Sequence, residues 1–262
     1  MRKMTVSEKA EKSVYAALAI ATFFLAWAFI TTFTAARETT PGPVQVIRLL
    51  FTSFFEPIGR YTIYGHLYYS LRRVLVGYTV AAVSGIVVGI SMGTSRYAEA
   101  IIKPLFELIR PIPPIAWIPL VILWFGVGEL PKYAIIFIGS FTNITLNAYT
   151  GAQRVDPTLI GCARMLGTSD RDIFLRVILP SSLPQIFAGM QVALSTAWMA
   201  VLAAEMISSY EGAGWIINMG MNTGDTVLIL VGMISIAIVG FALANIMRIL
   251  ERRLCSWTVR GK

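Results

Sequence analysis

Few side chains in this sequence stand where an apolar setting would force them to do chemistry. Glu107 and Arg110 lie three residues apart in one apolar block, and Glu205 lies in another. Charges inside such blocks are costly, so each marks either an internal pair or a place that meets a solute. Arg110 also opens the run Arg110-Pro111-Ile112-Pro113-Pro114-Ile115-Ala116-Trp117-Ile118-Pro119, with four prolines in nine residues. Each proline removes a backbone donor and disturbs a helix. Non-helical backbone at membrane depth is tolerated only against protein or beside a water-filled path. The run therefore reads either as a kinked span packed on its neighbours or as a break beside a solute path. In the second reading Arg110, Pro111, Pro113 and Trp117 flank the path, and Arg110 can attract an anion. Asn143, Met199 and Glu205 are further lining candidates. Interhelical packing is the competing role for the first two. Glu205 would oppose an anion, so it is expected to pair internally or to cap an outer end. Glu107 and Arg110, at i and i+3, are spaced to pair with each other.

A second chemistry-bearing stretch is polar and mechanical. Asp156 can cap a helix with Pro157 at its first position. Leu159, Ile160 and Ala163 then share a side, and Gly167 can take the left-handed conformation that ends a helix. Thr168-Ser169-Asp170 starts a second helix with acids in its first turn. Ile173, Phe174, Val177 and Ile178 follow at helical spacing, and Pro180 is expected to stop the pattern. Two short helices around a glycine bend are more pattern than a connector needs.

Covalent chemistry has no support. There is no phosphate-binding G-x-x-x-x-G-K-[ST] loop, no H-E-x-x-H and no G-x-S-x-G. One histidine, His66, argues against a histidine-rich metal site, and Cys162 and Cys255 have no partners at metal-ligand spacing.

The elements that must position these residues are membrane spans. Of 262 residues, 56% are hydrophobic and 14% charged, and the mean hydropathy is +0.70. A soluble chain carries about 25% charged residues. A span needs roughly 20 apolar residues, and six blocks qualify: about 14–34, 66–93, 101–126, 131–150, 184–207 and 226–249. The first follows Arg2 and Lys3 and precedes Ala35–Ala36, as a secretion signal would. It is longer than the usual signal core, which favours an uncleaved span. The fold expected is an all-α polytopic membrane protein forming a single transmembrane domain.

A net charge of +8 would suggest nucleic acid in a soluble protein. Here the basic residues flank the blocks, as positive-inside sorting requires, so no nucleic-acid partner is expected. Lys9 and Lys12, Arg96 and Lys103, Arg154, Arg164, Arg171 and Arg176, and the tail from Arg248 to Lys262 all fall on one face. That face should be cytoplasmic, with both termini inside. The outer loop, about 35–65, holds Pro41-Gly42-Pro43 and then Val46, Ile47, Leu50, Phe51, Phe54 and Phe55 at helical spacing up to Pro57 and Gly59. This reads as a short helix on the outer surface, serving as a packing lid or as a docking surface.

The inner loop, 151–183, resembles that of the permease subunits of ABC importers. Those carry Glu-Ala-Ala, three residues and Gly, then a helix reaching Pro. Here Gly161-Cys162-Ala163-Arg164-Met165-Leu166-Gly167 precedes Ile178-Leu179-Pro180 and Leu183-Pro184. Gly161 stands where the family has the glutamate, which there helps to hold the loop in a groove of the ATP-binding subunit. The proline-rich run with Leu123-Trp124-Phe125-Gly126-Val127-Gly128-Glu129 is similar to the nitrate/sulfonate/taurine branch. So are Ala204-Glu205-Met206-Ile207 with Gly212-Ala213-Gly214-Trp215, and Leu250-Glu251-Arg252-Arg253-Leu254.

The resemblance implies a type I ABC importer permease in the cytoplasmic (inner) membrane, itself no enzyme. It implies a homodimer of this chain, two ATP-binding subunits that hold ATP and Mg, an external substrate-binding protein, and no cofactor on this chain. Asp156, Pro157, Gly161, Cys162, Ala163, Arg164, Gly167, Thr168 and Ser169 would form the contact with the ATPase. The solute would be a sulfonate-, taurine- or nitrate-like anion, and importers of vitamins or pyrimidine precursors share the architecture. An ion-coupled secondary transporter would need internal repeats and buried ion ligands, and no repeat is visible.

Overall fold

The structure is a computed structural model, and it describes residues 6–34 and 39–255. The basic termini, with Arg2, Lys3, Arg260 and Lys262, and the stretch at Ala35–Ala36 lie outside the described residues. Among the described residues the elements are helical throughout, in the order α1 (Val6–Phe33), α2 (Pro43–Thr52), α3 (Ile63–Thr94), α4 (Arg96–Ile109), a 3₁₀ turn (Pro114–Trp117), α5 (Ile118–Phe125), α6 (Glu129–Gln153), α7 (Pro157–Met165), α8 (Asp170–Ile173), a π-helical turn (Phe174–Ile178), α9 (Leu179–Ser208), α10 (Ala213–Thr223) and α11 (Thr226–Leu254).

Four described segments are long and apolar enough to cross a membrane: 14–33, 63–94, 170–208 and 226–254. A fifth forms if α4 and the Pro114–Phe125 pair count together, although they meet at a bend of 85°. The six blocks of the sequence map onto these five and α6. With 25 residues, α6 spans about 37 Å. It is less apolar than the others because Ser140, Thr142, Asn143, Thr145, Asn147 and Thr150 lie along it.

The bundle is built on α3, α6 and α9. Lipid supplies no hydrophobic drive between helices, so close backbone approach through small residues must. Gly85, Gly89 and Gly93 repeat every fourth residue on α3 and face α6. A methyl group added at Gly89 would stand 2.5 Å from the Thr145 carbonyl oxygen, and one at Gly93 would stand 2.6 Å from Ala152 Cβ. On the other side of α6, Gly189 of α9 lies against Asn147, whose Oδ1 accepts from Gln185 Nε2 at 2.8 Å. The core then continues through Val74, Tyr78, Ile136, Ile144, Phe187, Ala197, Trp198 and Val201.

Three expectations need correction. Pro180 does not stop a helix: 170–208 runs on through Pro180 and Pro184 into α9. The π turn at Phe174–Ile178 explains this, because widening the backbone just ahead of Pro180 accommodates its ring and missing N–H. The inner loop proper is therefore shorter than 151–183. The outer helix α2 ends at Thr52, before Pro57, since turns at Ser53–Phe55 redirect the chain. Its Val46 packs with Ile63, Ile216, Leu228 and Val231, the lid arrangement, while Phe51 and Phe55 stay exposed. Between Ser208 and Thr226 the chain adds α10, a helix the sequence pattern did not reveal.

Candidate functional site

Three polar features stand out, at three depths of the bundle. One is a buried ion cluster where α3 and α6 begin and α9 ends. Arg73 and Glu205 are both fully buried and pair at 2.8 Å. The guanidinium also donates two parallel bonds to Glu129, Nε to Oε2 at 2.8 Å and Nη2 to Oε1 at 2.7 Å. It reaches the Glu211 carboxylate at 2.6 Å and the Glu211 carbonyl at 2.9 Å. Lys132 donates to Glu129 at 2.7 Å and to Ser209 at 2.9 Å. Glu205 accepts further from the Ser70 hydroxyl at 2.8 Å and the Gly214 amide at 3.0 Å. Gly212 lies so close to the Glu205 carboxylate that a side chain there would collide with it, and its φ is +119°. The Gly212 amide donates to His66 Nδ1 at 3.1 Å, and Nε2 lies 2.9 Å from the Ile58 carbonyl, which selects the Nε2–H tautomer. Trp215 stacks on the same ring at 5.0 Å.

A buried ion pair holds only when its remaining donors and acceptors are satisfied, and here they are. The cluster fastens α3, α6, α9 and the start of α10 together. Glu205 thus has the internal pairing expected of it, but its partners were missed. The local signal on α3 is that His66, Ser70, Arg73 and Gly77 fall at i, i+4, i+7 and i+11, one stripe of a largely apolar helix.

The second feature is the proline break. Residues 110–113 turn the chain between α4 and the 3₁₀ turn. Glu107 and Arg110 do not pair; no ion pair joins either to another described residue. Arg110 keeps helical φ and ψ and its amide bonds to the Phe106 carbonyl, so the i, i+3 spacing is kept and the pair is still not made. A cleft of about 170 Å³ opens here, lined by Arg110, Pro113, Pro114, Thr142, Asn143 and Thr196 among others. The candidate path residues are therefore divided. Arg110, Pro113 and Asn143 meet at the cleft. Trp117 packs beside Ile118, Val121 and Ile135, with an indole N–H that has no partner among the described residues. Met199 lines a separate, largely apolar groove of about 500 Å³ between α9 and α11. Pro111 is exposed on the bend, and Glu205 belongs to the ion cluster.

The third feature is the inner loop, at the opposite end of α6 and α9 from the ion cluster. Asp156 accepts the Thr158 amide at 2.8 Å, which holds its carboxyl below the usual range. Gly167 has φ +76°. The amides of Gly167 and Thr168 bond back to the carbonyls of Arg164 and Ala163, a Schellman ending. Ser169 Oγ accepts from the Asp172 amide at 3.2 Å and donates to its carboxylate at 2.8 Å. Arg164 meets Asp170 at 3.5 Å across the bend. Leu159, Met165 and Leu166 are exposed, the last at 85%. Cys162 is also exposed, and Gly161 faces open space.

Residues 85–255 match the family described as binding-protein-dependent transport system inner membrane component. The chain belongs to that family. This permease is 36% identical over 222 residues to the taurine transport system permease protein TauC of Escherichia coli, covering 83% of this chain and 79% of that one. It is 31% identical over 245 residues to the nitrate import permease protein NrtB of a Synechocystis species, covering 92% and 88%. It belongs with the nitrate/sulfonate/taurine branch of ABC importer permeases. Its fold is similar to that of a chain of the inward-facing MetNI methionine ABC transporter, with a TM-score of 0.59 at 17% identity over 70% of this chain and 94% of that one. The permease is thus a multi-pass membrane component of an ABC importer.

Proposed function

We propose that this permease forms half of the translocation pathway of an ATP-driven importer for a small oxyanion of the sulfonate, taurine or nitrate kind. Two copies would form the pore, each with six spans and both termini in the cytoplasm. Two ATP-binding subunits inside would carry ATP and Mg, and an external binding protein would deliver the solute. The names of the relatives support the solute class. The observation that carries the mechanism is the exposed α7–Gly167–α8 unit. It is capped at both starts, cross-linked by Arg164 and Asp170, and leaves Leu159, Met165 and Leu166 uncovered. Such a unit is too short and too tightly capped to bend internally, so it transmits a push as a rigid body. Asp156, Pro157, Gly161, Cys162, Ala163, Arg164, Gly167, Thr168 and Ser169 are its contact surface toward the ATPase. Gly161 leaves the space of the family glutamate open, so apolar packing of Leu159, Met165 and Leu166 carries more of the contact here.

Gly167→Pro tests this reading. Proline locks φ near −65°, incompatible with the observed +76°. The variant should insert and dimerise normally, while solute uptake per ATP hydrolysed in proteoliposomes falls by at least tenfold. Uptake per ATP at the wild-type level would overturn the coupling role.

A further inference from the structure

The cleft at the proline break has the chemistry of a binding site that neither the fold nor the coupling loop requires. We infer that Arg110, Thr142, Asn143 and Thr196 form a transient site for the charged head of a small oxyanion, midway along the bundle. This rests on the anion-importer reading above.

Charge decides the sign of the ligand. Arg110 is the one charged residue lining the cleft, and no acid shares it. Its guanidinium has no ion-pair partner among the described residues, whereas Arg73 is saturated by three carboxylates. A planar fork of N–H donors matches the oxygens of a sulfonate or nitrate. The other polar groups are neutral. Asn143 Nδ2 donates to the Gly139 carbonyl at 3.0 Å and to Thr196 Oγ1 at 3.2 Å, and the Thr196 and Thr142 hydroxyls donate to the Val192 and Ile138 carbonyls. Arg110 therefore supplies the free donors, and these groups must turn from their helix carbonyls to add to it.

Size decides the class. About 170 Å³ is roughly the room of five or six waters at about 30 Å³ each, and well under the 300 Å³ or more of a drug-sized pocket. It accepts an oxyanion head with part of its hydration.

Depth decides the role. Asn143 is the fifteenth of the 25 residues of α6, and Thr196 the eighteenth of the 30 in α9. Both lie near the middle of the bundle, where transporters place solute sites beside broken helices. The 85° break also has a reason if it lines such a path, since irregular backbone at that depth must face protein or water. A competing role for Arg110 is to complement the carbonyl end of α4 as its C-terminal cap. Lysine would serve that role equally well, but it lacks the fork.

The test uses the complete importer in proteoliposomes with saturating binding protein, reading uptake of radiolabelled taurine and of nitrate per ATP hydrolysed. Arg110→Gln should lower this ratio at least tenfold for the transported anion. Arg110→Lys should recover it in part, and Thr196→Val should lower it several-fold. A melting curve of each purified complex establishes that it is folded. If Arg110→Gln does not assemble, Arg110→Lys and Thr196→Val decide, and wild-type ratios in both overturn the site. If the wild type carries anions and folded Arg110→Gln carries them as well, the site is overturned and the importer reading stands. If the wild type moves neither taurine nor nitrate and carries only solutes with no oxyanion group, both are overturned.

Discussion

Arg73 and Glu205 show how an ionic group survives inside an apolar bundle. Each is fully buried, and the Arg73 guanidinium and both Glu205 oxygens meet partners from other segments of the chain. The energetic consequence is asymmetric. A satisfied buried pair adds little net stability, whereas removing one partner strands the other at about 3–5 kcal/mol. Glu205→Ala leaves Arg73 with Glu129 and Glu211 but takes the carboxylate acceptor from the Ser70 hydroxyl and the Gly214 amide. It should destabilise the purified protein by about 1–3 kcal/mol, measured as a loss of thermal stability in detergent or nanodiscs. Glu205→Gln keeps an acceptor for Ser70 and Gly214 and should cost less. Equal stability of Glu205→Ala and wild type would show that the cluster is not a fastening. Arg110, by contrast, has no carboxylate partner, and that difference between two arginines is what separates a structural charge from one available to a solute.

At the scale of elements, small residues set how closely helices approach, and prolines set where they break. Gly89 of α3 meets the Thr145 carbonyl of α6, a backbone atom that cannot swing aside. Gly89→Val should separate α3 from α6 and cost about 1–3 kcal/mol or more of packing, seen as a lowered melting temperature. Gly161→Val, which faces open space, is the matched control and should melt like the wild type. The prolines behave differently according to the turn before them. Pro111, Pro113 and Pro114 follow one another with no helical turn to absorb them, and the chain bends by 85°. Pro180 follows a π turn, and the helix continues. Sequence spacing registers both as interruptions, because it counts missing donors and does not see how the preceding turn adjusts.

At the scale of the whole molecule, the ion cluster and the inner loop sit at opposite ends of α6, about 37 Å apart along its axis. That separation exceeds the roughly 30 Å hydrocarbon thickness, enough to place the two ends on opposite faces of a bilayer in the proposed topology. The native cysteines report which face is which. Cys162 is exposed on the loop and Cys255 is buried. A membrane-impermeant maleimide should label Cys162 in inside-out vesicles and not in right-side-out ones. Added ATP-binding subunits should protect it. Labelling of Cys162 from outside would reverse the proposed topology.

The sequence by itself determined the solvent of this protein, the approximate positions of its apolar blocks, and both caps of the inner loop. All of these depend on residues within a turn or two of each other, and local spacing reports local physics. The same holds for the proline break, whose existence follows from missing donors. Only the tertiary structure decided what the charges do. Arg73 meets Glu205 across 132 residues and Glu211 across 138, and Asn143 meets Thr196 across 53. No periodicity encodes such contacts. They follow from how closely α3, α6 and α9 pack, which the glycines at 85, 89 and 93 permit and the fold alone arranges.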